Sequence, residues 1–144
     1  MEESLKEKSL QHETKQSLVV TESRTPFDEL DDTVKLALHS ASEKKAVNLT
    51  ALDLREIASF TEFFIIASGT NQRQVQAIAD EITEQLKKQL DARPIRVEGY
   101  NTAEWVLIDF GDFIVHVFEQ KAREFYDLER LWRDAKKVEI PAEI

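Results

Sequence analysis

Residues 63–90 read FFIIASGTNQRQVQAIADEITEQLKKQL, and this stretch decides which fold the chain can adopt. Phe63–Ser68 is a short, nearly continuous apolar run, the pattern of a strand buried on both faces. Gly69 stops it. Beyond the glycine, Val75, Ile78, Ala79, Ile82, Leu86 and Leu90 recur at helical spacing, so one stripe of a long helix is apolar and the remainder polar. A buried strand feeding an amphipathic helix is the unit of an α/β sheet. Pro94 then opens a short strand to about Val97, expected to complete a right-handed parallel crossover.

Working outward, Val34, Ala37, Leu38 and Ala41 mark one face of a helix that starts from Asp31 or Asp32 as N-cap and runs to about Lys45. Ala46–Leu54 alternates in two registers, which suits a strand with a bulge. Downstream, Trp105–Phe110 and Phe113–Glu119 are two strands joined by Gly111-Asp112, a pair that favours a type II′ hairpin turn. A last helix, about Ala122–Lys136, is expected to bury Phe125, Leu128, Trp132 and Ala135. With 144 residues there is room for one ordinary core. The expected fold is α/β, a single domain with a mixed five-stranded sheet and flanking helices over residues 27–144. Residues 1–26 are polar, lack periodicity and read as a disordered tail.

Composition narrows function by exclusion. The chain has no cysteine, which removes disulfides, thiolate nucleophiles and most zinc frameworks. No apolar run approaches the roughly 18–20 residues of a membrane helix, and residues 1–11, MEESLKEKSLQ, carry no signal-peptide pattern, so a cytoplasmic location is expected. Residues 1–26 hold five acids and four bases, which leaves −8 of the total charge of −9 on the globular part. Such a domain is repelled by phosphate backbones and attracted to basic protein, so little direct nucleic-acid contact is expected.

Catalytic patterns are scarce. The Ser68–Asn71 turn, SGTN, could offer backbone N–H groups to a phosphate, or serve simply as a strand-to-helix turn capped by Thr70 or Asn71. Asp109 and Asp112 straddle a turn and do not share a strand face, as a Mg²⁺ pair would. No His-x-x-x-His, Gly-x-Ser-x-Gly or Walker loop is present, and no cofactor is expected. Strand alternation is more informative: Val106, Ile108, Phe110, Phe113, Val115 and Val117 make one purely apolar sheet face. The other mixes Trp105, Leu107, Asp109, Ile114, His116 and Phe118. That mixture suits either a protein interface with aromatic anchors or a core rim with a half-exposed histidine. On the last helix Tyr126, Glu129 and Arg133 form a further stripe.

Three ordered blocks, FTEFFIIASGTNQRQVQAIADEI, VEGYNTAEWVLIDFGDFIVHVF and REFYDLERLW, resemble the signature blocks of the ribosomal silencing factor family, also called the Iojap or RsfS family. The resemblance spans about Val34–Trp132 and departs at Glu62, where the family usually has Asp. It implies a fold similar to nucleotidyl transferases without their catalytic acids, and no enzymatic activity. It further implies binding to the large ribosomal subunit through ribosomal protein L-fourteen, which sterically blocks small-subunit joining and represses translation. Family members often form homodimers. On this reading Trp105, Asp109, His116 and Tyr126 contribute to the docking surface, Trp105 as anchor and Asp109 pairing with a basic residue of the partner. His116 could then tune binding with pH if it titrates near 6.5. The alternatives are a nucleotide-binding enzyme using the Ser68–Asn71 turn as a phosphate cradle, and a dimeric adaptor for another basic protein.

Overall fold

A computed structural model of the chain describes residues 4–12 and 23–144. The elements in chain order are α1 (Leu5–Ser9), β1 (Thr25–Pro26), a 3-10 turn (Phe27–Glu29), α2 (Asp32–Glu43), β2 (Val47–Asp53), β3 (Phe63–Gly69) and α3 (Gln72–Leu90). They continue with β4 (Arg96–Glu98), β5 (Trp105–Asp109), β6 (Phe113–Glu119), α4 (Gln120–Tyr126), α5 (Leu128–Leu131) and β7 (Lys136–Glu139). One mixed sheet takes the strands in the order β1-β7-β2-β3-β6-β5-β4.

The centre of the sheet follows the sequence. Every residue of β3 is buried. It pairs antiparallel with β2 and parallel with β6. The β2 register shifts between Val47 and Thr50, with Asn48 at φ +51°, so the two alternating registers do meet at an irregularity. α3 starts at Asn71, whose side-chain oxygen accepts from the Gln74 N–H at 2.8 Å. The hairpin between β5 and β6 turns at Gly111, φ +90°, as the first position of a type II′ turn requires. β4 runs in the direction of β3 but lies at the far edge, with β6 and β5 between them.

Three expectations fail at the margins. The sheet has seven strands and not five, because β1 and β7 are short outer strands whose sequences, TP and KKVE, carry no apolar alternation to reveal them. Proline at such an edge is tolerated because its missing N–H faces no partner. The last helix is two helices: Asp127 takes the left-handed conformation, φ +49°, ends α4 and turns the chain into α5. That break leaves Phe125 81% exposed, while Leu128 and Trp132 go inward as expected. Finally, within the stretch read as a disordered tail, residues 5–9 are helical and Thr25–Pro26 belong to the sheet. For residues 1–3 and 13–22 that expectation lies outside the described residues.

Two hydrophobic layers result. On one face α2 and α3 cover Ile65, Val106, Ile108, Val115 and Val117. On the other, Phe64, Ile66, Leu107, Ile114 and Phe118 pack with Leu128 and Trp132, and Leu5 of α1 lies against them. Phe64 is fully buried, with the Trp132 ring centroid at 5.3 Å and that of His116 at 4.5 Å. Replacing Phe64 by Ala should therefore cost about 3–5 kcal/mol, the usual loss when a large core ring becomes a cavity. Urea unfolding monitored by circular dichroism measures it, and a loss under about 1 kcal/mol would show that this layer is not close-packed.

Candidate functional site

The mixed face of the hairpin is an interior, and its polar members answer one another. The Trp105 indole N–H donates to Nδ1 of His116 at 3.0 Å. An accepting Nδ1 requires the neutral ring to carry its proton on Nε2, an atom that is buried without a hydrogen-bond partner. Burial, with a smaller push from Lys6, lowers the His116 pKa to about 3. The half-exposed, pH-tuning histidine is thus corrected: His116 is fully buried and neutral across the physiological range.

The four residues read as a docking surface have different surroundings. Trp105 is buried, its ring 4.7 Å from that of Tyr126 and 5.0 Å from that of Phe118. Asp109 is also buried, and its Oδ1 accepts from the Gly111 N–H at 2.8 Å, so its carboxylate secures the hairpin turn. Tyr126 alone reaches solvent, at the end of α4 beside the exposed Phe125. The structure therefore gathers Trp105, His116 and Tyr126 into one aromatic cluster, and sets Asp109 apart at the turn.

Sequence reasoning missed the cover over this cluster. Lys6 Nζ donates to the Trp105 carbonyl at 2.7 Å and sits 5.0 Å from the centroid of the Trp105 ring. The Trp132 indole donates to the Ser9 carbonyl at 2.8 Å. His12 stacks on Trp132 at 3.8 Å and its Nε2 lies 2.8 Å from Asp134. One signal was available: Ser4 and Glu7 have the Ser-x-x-Glu spacing of a capped helix start, and the Ser4 hydroxyl accepts from the Glu7 N–H at 3.2 Å. The segment around it carries little apolar periodicity.

The Ser68–Asn71 turn is engaged within the chain. The Thr70 N–H donates to Gln74 Oε1 at 2.7 Å, Asn71 caps α3, and the Ser68 hydroxyl accepts from Arg123 at 2.9 Å. Arg123 is itself buried and paired with Glu129 at 2.9 Å. The expected cap role of Asn71 is borne out.

Residues 27–144 match the family model described as ribosomal silencing factor during starvation. The chain belongs to the ribosomal silencing factor family. It is 43% identical over 108 residues to ribosomal silencing factor RsfS of Halalkalibacterium halodurans, covering 74% of this chain and 91% of that one. The RsfS protein of Bacillus subtilis is 41% identical over 110 residues, covering 74% and 90%. A crystal structure from Bacillus halodurans, 40% identical, superposes with a TM-score of 0.65 over 74% of this chain and 96% of its own. The family match begins at Phe27, so α1 lies before it while the tryptophans it covers lie within it.

For this silencing-factor chain, the buried His116 makes a definite demand on acid stability. Its folded pKa lies near 3, below the unfolded value of about 6.5, so the unfolded state binds the extra proton and stability falls as pH drops from 6.5 toward 3. That single proton should contribute about 1.4 kcal/mol per pH unit within the window. Urea unfolding between pH 4 and 7 should show a slope that is shallower by about one proton in His116→Gln. Parallel slopes for the two proteins would mean that His116 titrates normally.

Proposed function

We propose that the chain represses translation by binding the large ribosomal subunit through ribosomal protein L-fourteen and sterically blocking association with the small subunit. The match of residues 27–144 to the silencing-factor family carries this reading. The physical chemistry supports it. A globular part carrying −8 is drawn to a basic ribosomal protein and repelled by RNA phosphates, which favours docking on protein. The mechanism is occlusion: binding energy is the only free energy required, and no bond is made or broken.

The docking face on this reading has Trp105 as its anchor, with Tyr126 packed against it and exposed Phe125 at the margin. Aromatic side chains at a surface of this kind are the usual anchors of protein interfaces. His116 orients the Trp105 ring by accepting its indole proton, and Asp109 shapes the hairpin on which Trp105 stands. A fold akin to the nucleotidyl transferases, emptied of catalytic acids, is part of the same reading. Among the described residues no three His, Asp or Glu side chains stand close enough to share a metal ion. Self-association into a homodimer also belongs to it, and sedimentation equilibrium measures that directly.

The competing phosphate-cradle reading has less to work with, since the polar groups of the Ser68–Asn71 turn already bond to Gln74 and Arg123. It requires nucleotide to raise the melting temperature in a concentration-dependent way.

Sucrose-gradient sedimentation of large and small subunits at fixed magnesium tests the proposal. The chain should migrate with the large subunit and reduce the joined peak. Phe125→Ser, which alters a largely exposed side chain, should weaken large-subunit binding roughly fivefold or more and leave the circular dichroism spectrum unchanged. A chain that stays at the top of the gradient while the subunits join would overturn the reading.

A further inference from the structure

The aromatic face carrying Trp105 and Trp132 is closed by residues that precede the family-matched part of the chain. Those residues are held in the way a bound peptide is held. One apolar side chain, Leu5, rests on the second core layer. One cation, Lys6, enters a slot formed by the Trp105 carbonyl and ring, and one main-chain carbonyl, that of Ser9, takes the Trp132 indole proton. A five-residue helix such as α1 does not hold itself together in water. Its order comes from the surface beneath it.

The slot is built for positive charge. Burial lowers the pKa of the Lys6 ammonium, and Glu98 and Glu104 oppose that by stabilising its charge. Gly99, at φ +78°, forms one wall, where any Cβ would stand 2.5 Å from Lys6 Nζ and 2.2 Å from the Trp105 carbonyl oxygen. Glu98 Oε2 is buried and accepts no hydrogen bond, although Arg96 Nη1 is 4.0 Å away. The slot therefore keeps an acceptor that Lys6 leaves unused. A guanidinium, with five donors in a planar fork, has more donors to offer than an ammonium.

We propose that this face is a docking surface for a short basic segment of a protein partner, and that residues 4–12 are a built-in competitor occupying it until the partner arrives. The inference rests on the reading that the chain binds a basic protein of the large subunit, and it names the surface and the device that regulates it. An incoming arginine or lysine takes the place of Lys6 and an apolar side chain that of Leu5. Trp105 and Trp132 then meet the partner.

The test uses the full chain with Lys6→Glu, which sets a carboxylate against Glu98 and Glu104, and separately Leu5→Ser. The chain's two tryptophans, Trp105 and Trp132, both lie under the cover, so acrylamide quenching reports its release. In both variants quenching should increase while the far-ultraviolet circular dichroism stays close to that of the parent chain. Affinity for isolated large subunits should rise about tenfold, the gain expected if the face is free in about one molecule in ten of the parent chain. A synthetic peptide with the sequence of residues 4–12, added to the Lys6→Glu chain, should restore protection, and the same peptide carrying Lys6→Ala should do so less well. Unchanged quenching in both variants would overturn the inference, because the cover would not depend on these contacts. Exposed tryptophans with unchanged or weaker subunit binding would overturn it while leaving the proposed function standing. Failure of the parent chain and both variants to bind subunits would remove the proposed function, and the inference with it.

Discussion

β3 has no side that water can wet. Its seven residues, Phe63 to Gly69, are all buried, and because successive side chains point to opposite faces, the chain must provide apolar cover above and below the sheet. α2 and α3 meet the first obligation with long amphipathic stripes. The second is met in pieces by α4, α5 and α1, none longer than seven residues. That asymmetry accounts for much of the rest. The continuous layer is the firm side of the molecule, and the patchwork layer is where aromatic rings, a neutral histidine and a borrowed lysine fill the spaces between short helices.

Buried polar groups keep the patchwork in register. Arg123 enters from α4 and donates to the Ser68 hydroxyl of β3, the Thr50 hydroxyl and Val47 carbonyl of β2, and the carboxylate of Glu129 in α5. Four groups from three segments thus converge on one guanidinium, whose fixed fork accepts few alternative arrangements. Asp53 does similar work at the other end of β2, accepting from Thr25 of β1 at 2.6 Å and pairing with Arg55 at 2.8 Å. Those hydrogen bonds hold the Asp53 pKa below its ordinary value against the opposing effect of burial.

The sequence made the firm side legible. The apolar run of β3, the stripe of α3, the cap at Asn71, the Gly111 turn and the irregularity in β2 are each local patterns with one physical meaning, and each stands where those patterns place it. The patchwork side was harder for a stated reason. Alternation along β5 and β6 shows that Trp105 and His116 share a face, but not whether water, a partner or the chain's own N-terminal residues cover it. That answer depends on contacts such as Lys6 with Trp105, ninety-nine positions apart. The short outer strands escaped for the opposite reason: TP and KKVE hold their places through main-chain pairing, which leaves little trace in side-chain pattern. The reversal at Asp127 rests on a single left-handed residue, and its effect was to turn Phe125 outward.

The parallel pairing of β1 with β7 also has a meaning for the order of events at synthesis. Thr25 lies against Val138 and Pro26 against Glu139, while β2 takes Lys136 and Lys137 as its partners on that side. During translation the strands made early must wait, with one edge unsatisfied, until almost the whole domain has been threaded through the exit tunnel. Contacts so distant along the chain close late, since loop closure has to be met before they can form. β7, made after every other strand of the sheet, is thus the one that seals it, and a nascent chain stalled before Lys136 would present an open edge to its surroundings.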